Sequence, residues 1–281
     1  MTYSELMEKA VRELTEAGFE EARTDVRELM EFVSKKSRTE LLFCGNDTIP
    51  REQKEQFSFL LASRKEHMPV QYLTGVQEFC GLNFRVNENV LVPRPETELL
   101  AEAVFRQSEG KRVLDMCTGS GCIAITVAKL GKPALVAASD ASEGALLVAR
   151  QNASENEAEV EFFCGDLFET VTGCYDIIVS NPPYIKTAVI EDLMAEVREF
   201  EPRMALDGKE DGLYFYRRIC EEAKAFLVPG GRLMFEIGHD QGEAVPELLR
   251  EAGYEAVEVK QDYAGLDRMV FAVWPDKNKE N

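Results

Sequence analysis

From Lys111 onward, short apolar runs alternate with stretches of helical periodicity, and no other feature constrains the fold as tightly. The runs Arg112-Val113-Leu114-Asp115-Met116, Ala134-Leu135-Val136-Ala137-Ala138, Val160-Glu161-Phe162-Phe163 and Tyr175-Asp176-Ile177-Ile178-Val179-Ser180 have strand length. Helices are predicted from Gly121 and from Ser142, between the first three of them. Parallel strands need crossovers of this size, so the pattern predicts an α/β fold around a parallel sheet. A helix near Leu213 to Leu227 leads through Pro229-Gly230-Gly231 to the strand Arg232 to Glu236, and another helix ends at Gly253. The last two strands, near Ala256 to Lys260 and Arg268 to Trp274, are joined by a short polar loop and are expected to pair antiparallel. Only Asp276 to Asn281 is expected to fray.

The chain before this sheet is of another kind. Leu6, Ala10, Leu14 and Ala17 recur at helical spacing before Gly18, and Val26, Leu29, Met30 and Val33 do so after Thr24, taken as an N-cap. A third helix is predicted from Pro50, at a first-turn position, through Phe57, Leu60 and Leu61 to about His67. Val76 to Asn87 then shifts to a shorter period, which predicts a hairpin turning near Gly81. The expected organisation is a helical domain over 1–75, a hairpin connection over 76–90 and the sheet domain over 91–281.

Composition narrows the function. With 32 Lys and Arg against 51 Asp and Glu, the net charge of −19 would repel a phosphate backbone, so no direct nucleic-acid partner is expected. The excess lies mainly beyond residue 75, because the first 75 residues hold 11 basic and 14 acidic side chains. No run approaches the roughly 18 apolar residues of a membrane span and the N-terminus is unlike a signal peptide, so a cytoplasmic protein with no membrane partner is expected. Seven cysteines without a CxxC pair predict reduced, mostly buried thiols, neither a zinc site nor a disulfide framework. His67 and His239 read as incidental, and metal catalysis is not expected.

Two segments carry chemistry. Asp115-Met116-Cys117-Thr118-Gly119-Ser120-Gly121 joins the first strand to its helix, where glycines let a ligand approach the backbone and a helix N-terminus favours an anionic group. Asp140 ends the next strand, where a carboxylate can bind both ribose hydroxyls, and Asp166 ends the third. A carboxylate loop, a ribose acid and a further acid suit S-adenosylmethionine better than a dinucleotide, since the full GxGxxG spacing is absent. Turn chemistry at strand ends is the plainer account of the two aspartates.

The second segment is Asn181-Pro182-Pro183-Tyr184, at the carboxyl end of a strand. Asn181 offers an amide oxygen, Pro182 a fixed backbone carbonyl and Tyr184 a flat face. Together they can accept both hydrogens of a primary amide or exocyclic amine while a ring stacks on its plane. The residue before a proline is pushed to extended geometry, so Asn181 is pre-aimed. A packing aromatic at a loop is the competing account of Tyr184.

The tetrapeptide, together with Leu91-Val92-Pro93-Arg94-Pro95-Glu96-Thr97-Glu98, Pro69-Val70-Gln71-Tyr72-Leu73-Thr74-Gly75 and Phe200-Glu201-Pro202-Arg203, resembles the peptide chain release factor glutamine N5-methyltransferases over nearly the whole chain. The tetrapeptide alone is shared with nucleic-acid amino-methyltransferases; the combination is far more specific. The resemblance implies a seven-stranded Rossmann-like methyltransferase sheet, S-adenosylmethionine as cofactor, class 1 release factors as partners and a helical N-terminal domain that grips them. It implies methylation of the glutamine in their Gly-Gly-Gln loop. It places the cofactor site on Cys117, Thr118, Gly119, Ser120, Gly121, Asp140, Asp166 and Leu167, with Asn181 bordering it. Asn181, Pro182, Pro183 and Tyr184 form the substrate site, of which Asn181, Pro182 and Tyr184 are the catalytic set.

Two departures are visible. Many members carry glycine where this chain has Cys117, so the backbone there must suit a side chain. The aromatic that some members place beside adenine falls here on Leu167 or Phe168. Arg94 and Glu98 read as residues that order their segment, and Arg203 as an ion-pair former. A ribosomal-protein glutamine methyltransferase, a nucleic-acid amino-methyltransferase and a cofactor-binding module without turnover are the alternatives.

Overall fold

The computed structural model describes residues 1–276, so the tail expected to fray lies, apart from Asp276, outside the described residues. Two compact units are present. One comprises Met1–Val76 with Met194–Phe200, and the other comprises Gln77–Leu193 and the chain from Glu201 onward.

The first unit is helical: α1 (Tyr3–Glu16), α2 (Ala22–Ser34), α3 (Arg38–Phe43), α4 (Arg51–Lys65) and α5 (Val70–Thr74). The predicted stripes form its core, with Leu14, Val26, Leu29, Met30 and Phe57 fully buried. Ala17 caps α1 and is exposed. Thr24 is not the N-cap of α2; Glu21 is, and the Thr24 hydroxyl donates to its carboxylate at 3.3 Å from inside the first turn. Pro50 stands just before α4 as its N-cap. The additional helix α3 starts at a capping box in which Ser37 and Glu40 satisfy each other's backbone N–H groups, the arrangement that Thr2 and Glu5 make at α1. Arg64 is buried between Asp25 and Glu196, 2.7 Å from each, with its guanidinium over the Phe19 ring. The partners of this cation come from α2 and from the segment 194–200, which explains why that segment belongs to the helical unit.

The second unit opens with the hairpin β1 (Val76–Phe79) and β2 (Leu82–Arg85). Its two-residue turn, Cys80-Gly81, has φ 51° and 76°, the left-handed pair that suits the twist of a tight hairpin. Then follow α6 (Pro95–Phe105), β3 (Arg112–Met116), α7 (Cys122–Leu130), β4 (Leu135–Asp140), α8 (Glu143–Glu155), β5 (Glu161–Cys164) and β6 (Tyr175–Ser180). A 3-10 turn (Thr187–Asp192), α10 (Arg203–Leu206) and α11 (Tyr214–Glu222) precede β7 (Leu227–Glu236), α12 (Ala244–Glu251), β8 (Glu255–Gln261) and β9 (Asp267–Val273), while α9 (Ala195–Phe200) between the turn and α10 belongs to the helical unit.

The seven strands run in the order β5-β4-β3-β6-β7-β9-β8, parallel except for β9, which pairs antiparallel with both β7 and β8. This is the expected α/β sheet with its closing antiparallel pair. Alternate residues of each strand feed opposite apolar layers: Val113, Ile177, Val179 and Met234 on one side, Leu114, Met116, Ile178 and Phe235 on the other. Two predicted boundaries move. Helix α11 ends at Glu222 and gives way to a 3-10 turn, and Pro229-Gly230-Gly231 lies inside β7, where the register with β6 shifts. The seven cysteines are free thiols, but only Cys122 and Cys220 are buried, and Cys164 and Cys174 are exposed. The expectation of mostly buried thiols fails because β5 is an edge strand and Cys174 sits in the approach to β6.

Strand order reverses between β3 and β6, and at such a switch point the crevice beyond the carboxyl ends is open to a ligand. Met116 of β3 and Ser180 of β6 are register partners, and the Ser180 hydroxyl donates to the Met116 carbonyl at 2.7 Å. Cys117 and Asn181 therefore leave the sheet side by side.

Candidate active site

The loop after β3 is shaped by left-handed residues and tied by carboxylates. Cys117, Gly119 and Gly121 have φ 59°, 55° and 81°. At Gly121 a Cβ would also come within 2.9 Å of Ile125 and 3.2 Å of the Ala149 methyl, so glycine is required there twice over. At Gly119 a Cβ would meet nothing within 4 Å, and the space it would enter belongs to a cavity. Asp115, fully buried, accepts from the Thr118 hydroxyl at 2.6 Å and from the Ala124 N–H at 3.1 Å, pinning the loop to the start of α7. Asp140 accepts from the Gly119 N–H and the Ser142 N–H, both at 2.9 Å. Burial raises both acids, Asp115 to about 7 and Asp140 above its ordinary value, against the opposing effect of the groups that donate to them. The Ser120 carbonyl is held by the buried Asn152 amide, which also brackets Arg85 of β2.

The tip after β6 is held differently. Pro182 and Pro183 are buried, and Asn181 is half-buried with its amide nitrogen donating to the Thr97 hydroxyl oxygen at 3.3 Å. That leaves the Asn181 oxygen as the open acceptor. The Tyr184 carbonyl accepts from Gln241 at 3.2 Å, and Gln241 also bonds Gly212 and Gly238, anchoring the exit of the tip. Gly208 packs against the Tyr184 backbone so closely that a Cβ would stand 2.8 Å from it. The Tyr184 ring packs on the apolar layer beneath the sheet ends, and burial raises its hydroxyl well above the usual tyrosine range.

Between loop and tip lies a cavity of about 350 Å³. Cys117, Thr118, Gly119, Ser120, Asp140, Asp166, Leu167, Asn181 and Pro183 line it, with Arg94, Thr97, Tyr214 and Phe215 added from α6 and α11. Gly121, Pro182 and Tyr184 are not among the residues that line it. Both oxygens of Asp166 lie within 2.9 Å of Arg218, at the exposed rim. Phe168 is buried in a stack with Phe226, so the aromatic side chains available to a flat ligand are Tyr214 and Phe215. The cavity volume, the glycine cradle and the acid at the end of β4 fit a nucleoside with a charged amino-acid tail. Among the described residues no group of three His, Cys, Asp or Glu side chains could hold a metal ion.

Arg94 and Glu98 order their segments and Arg203 forms an ion pair, as the sequence predicts, but sequence reading missed their partners and missed Glu236. Arg94 is 2.7 Å from the buried Glu201 carboxylate, which also accepts from the Val92 N–H at 3.4 Å; this pair ties the Pro-Arg-Pro segment to the Phe-Glu-Pro-Arg segment. Glu98 accepts from the Cys80 N–H at 2.8 Å and fixes the hairpin turn, and Arg203 pairs with Glu191 on the surface. Glu236, at the end of β7, is fully buried beside Thr97 and Asn181. Desolvation raises it to about 7, opposed by hydrogen bonding from Thr97, by Arg268 and by Asn181. No local motif announces these partners, because each joins segments far apart in the chain.

Residues 5–75 match the PrmC N-terminal domain, and residues 95–199 match the methyltransferase small domain. A release factor glutamine methyltransferase of Clostridium acetobutylicum is 40% identical over 97% of this chain and 99% of its own length. One from Neisseria gonorrhoeae is 44% identical over 89% of this chain and 92% of its own. Among solved structures, a Pyrococcus furiosus methyltransferase has a TM-score of 0.53 at 19% identity, covering 79% of this chain and 98% of that one. The T. thermophilus 16S rRNA N2 G1207 methyltransferase, in complex with AdoMet and guanosine, has a TM-score of 0.51 at 19% identity, over 70% of this chain and 49% of that one. At such identities the structural likeness is one of fold. No helix among the described residues is long and apolar enough to cross a membrane.

Proposed function

The chain belongs to the release factor glutamine methyltransferases, and from that premise we propose how its residues methylate the glutamine of the Gly-Gly-Gln loop of class 1 release factors. It is an S-adenosylmethionine-dependent methyltransferase, and the acceptor atom in this reading is the side-chain amide nitrogen, N5. The observation that carries the reading is the pairing of two tips that leave register-partnered strands, one a glycine cradle and the other an aimed amide oxygen.

Cys117, Thr118, Gly119, Ser120 and Gly121 form the cradle for the amino-acid tail of the cofactor; Asp140 takes the ribose, and Asp166 and Leu167 flank the base. When bound, the cofactor supplies a methyl group on a positively charged sulfur, an electrophile that needs no further activation. The difficulty lies with the nucleophile, since the lone pair of a carboxamide nitrogen is delocalised into its carbonyl. An amide N–H is also a very weak acid, so general base catalysis offers little. Asn181 Oδ1 and the Pro182 carbonyl instead accept the two N–H groups, aiming the nitrogen along the line of the sulfonium bond. As positive charge grows on that nitrogen, both bonds strengthen. Orientation of this kind is worth roughly 7–11 kcal/mol over free encounter. Pro183 and Tyr184 stiffen and wall the tip, and the helical unit is the surface for the release factor away from the modified loop.

The test is methyl transfer from labelled S-adenosylmethionine to a purified release factor, to its Gln→Ala variant in the Gly-Gly-Gln loop, to a ribosomal protein mixture and to duplex DNA. Label confined to the intact release factor is expected. Label in ribosomal protein or DNA would overturn the partner, and label in the Gln→Ala variant would overturn the acceptor.

A further inference from the structure

An asparagine carboxamide has nearly the same shape in its two flipped orientations, yet only one of them presents an acceptor to a substrate N–H. If Asn181 receives the substrate amide, something must forbid the flip. We propose that Thr97 and Glu236 are positioning residues that set this orientation through a directional hydrogen-bond chain. The proposal rests on the reading of Asn181 as the acceptor for the substrate carboxamide.

The three residues come from three elements: Thr97 from the first turn of α6, Glu236 from the end of β7 and Asn181 from the tip after β6. Thr97 and Glu236 are 3% and 2% exposed. The Asn181 amide nitrogen donates to the Thr97 oxygen at 3.3 Å, and the buried Glu236 carboxyl lies beside both residues, close enough for each to favour its charged form. A carboxylate only accepts. Facing it, the single Thr97 hydroxyl proton points at Glu236, its lone pairs turn to Asn181, and only the NH2 end of Asn181 can meet them. The Asn181 oxygen is thereby directed away from the protein.

Protonation reverses this polarity. A neutral Glu236 can donate to Thr97, whose proton is then free to seek the Asn181 oxygen, and the flipped amide would face the substrate with the wrong end. Glu236 is suited to such a change because burial brings its ionisation to about 7, while its Oε2 has no hydrogen-bond partner. The charged groups that bear on it are Arg268 from β9, which favours the carboxylate, and Glu96 from α6, which opposes it. Tyr184, Tyr216 and Cys122 also feel its charge, and burial keeps each of them protonated through neutral pH.

The experiment compares wild type, Glu236→Gln, Thr97→Val and Thr97→Ser as full-length proteins between pH 6 and 9. It records kcat and KM with labelled S-adenosylmethionine and a release factor, and the Asn181 side-chain amide signals by NMR without ligand. For wild type, kcat is expected to rise with pH through about 7, and the Asn181 signals to titrate over the same range. Glu236→Gln, a neutral isostere, should lower kcat about tenfold at pH 8, leave KM for S-adenosylmethionine within about twofold and abolish the Asn181 titration. Thr97→Val should lose about as much, and Thr97→Ser, which restores the hydroxyl, should recover most of the rate. Wild-type kcat and pH profile in both Glu236→Gln and Thr97→Val would overturn the proposal, as would an Asn181 titration that persists in Glu236→Gln. If wild type transfers no label to the release factor while the Asn181 titration depends on Glu236, the functional reading fails and the positioning chain stands.

Discussion

The loop after β3 and the tip after β6 leave the sheet from paired positions, yet they are built on opposite plans. The loop is soft chain made rigid: left-handed residues at 117, 119 and 121, with backbone N–H groups captured by Asp115 and Asp140. The tip is stiff chain that needs orientation: two prolines fix its backbone, and side chains from α6 and from the turn after β7 hold its polar groups. A ligand that is large and charged is met by backbone, where shape and dipole suffice. In the proposed function a reacting nitrogen is met by the Pro182 carbonyl, fixed by backbone, and by the Asn181 oxygen, whose direction depends on chemistry behind it. Each plan also stations a fully buried carboxyl at its back, Asp115 behind the loop and Glu236 behind the tip, each with one oxygen lacking a hydrogen bond.

The sharpest way to break this comparison is at the tip. Asn181→Ala is expected to lower kcat by at least about a hundredfold, the usual loss when one aimed group at the reacting centre is removed. Affinity for S-adenosylmethionine should hardly change, because the cradle belongs to the loop. Turnover near wild type would show that the two regions do not divide the work in this way. The converse substitution, Asp140→Ala, should weaken S-adenosylmethionine binding about 10- to 100-fold, as loss of charged hydrogen bonds worth roughly 1.5–3 kcal/mol would do. Saturating cofactor should restore turnover to within about threefold. Calorimetric titration decides it, and unchanged affinity would remove Asp140 from the cofactor site.

The buried carboxyls give a third test. The proton on Asp115 is held in the folded protein up to about pH 7, whereas the unfolded chain releases it near the ordinary value of 3.8. The folded state therefore binds more protons across that interval, and stability must fall as pH rises through it. Asp115→Asn should flatten this decline and raise the melting temperature at pH 8 relative to wild type. An unchanged melting temperature at pH 8, with the same slope below it, would mean that Asp115 is ionised at no cost.

The contrast between loop and tip also explains what the sequence disclosed. The strands and the helices between them were legible because apolar periodicity is local, and so was the glycine cradle, since left-handed φ and close packing demand glycine in place. The proline-stiffened tip was legible for the same reason. Thr97, Glu236 and Gln241 were not, because their value lies in meeting residues 84, 55 and 57 positions away, which no local pattern encodes. Of the two residues offered for the adenine side, Leu167 lines the cavity, whereas Phe168 is turned inside and stacked on Phe226.

Cys117 is where the loop departs from its own plan, and it carries the smallest expected effect. Its φ of 59° is one that L side chains adopt at a cost of roughly 1–2 kcal/mol, so Cys117→Gly relieves strain. Against that stand the lost packing of Cys117 on the apolar layer and the greater freedom of glycine in the unfolded chain. These terms are of similar size and opposite sign, so the net change in unfolding free energy should stay within about 1 kcal/mol. Cofactor affinity should stay within about threefold, because in the proposed function the cradle works through backbone, which glycine keeps in place. A loss of affinity beyond tenfold, with stability unchanged, would show that the thiol itself touches the cofactor, and that this side of the site is read by side chain as the tip is.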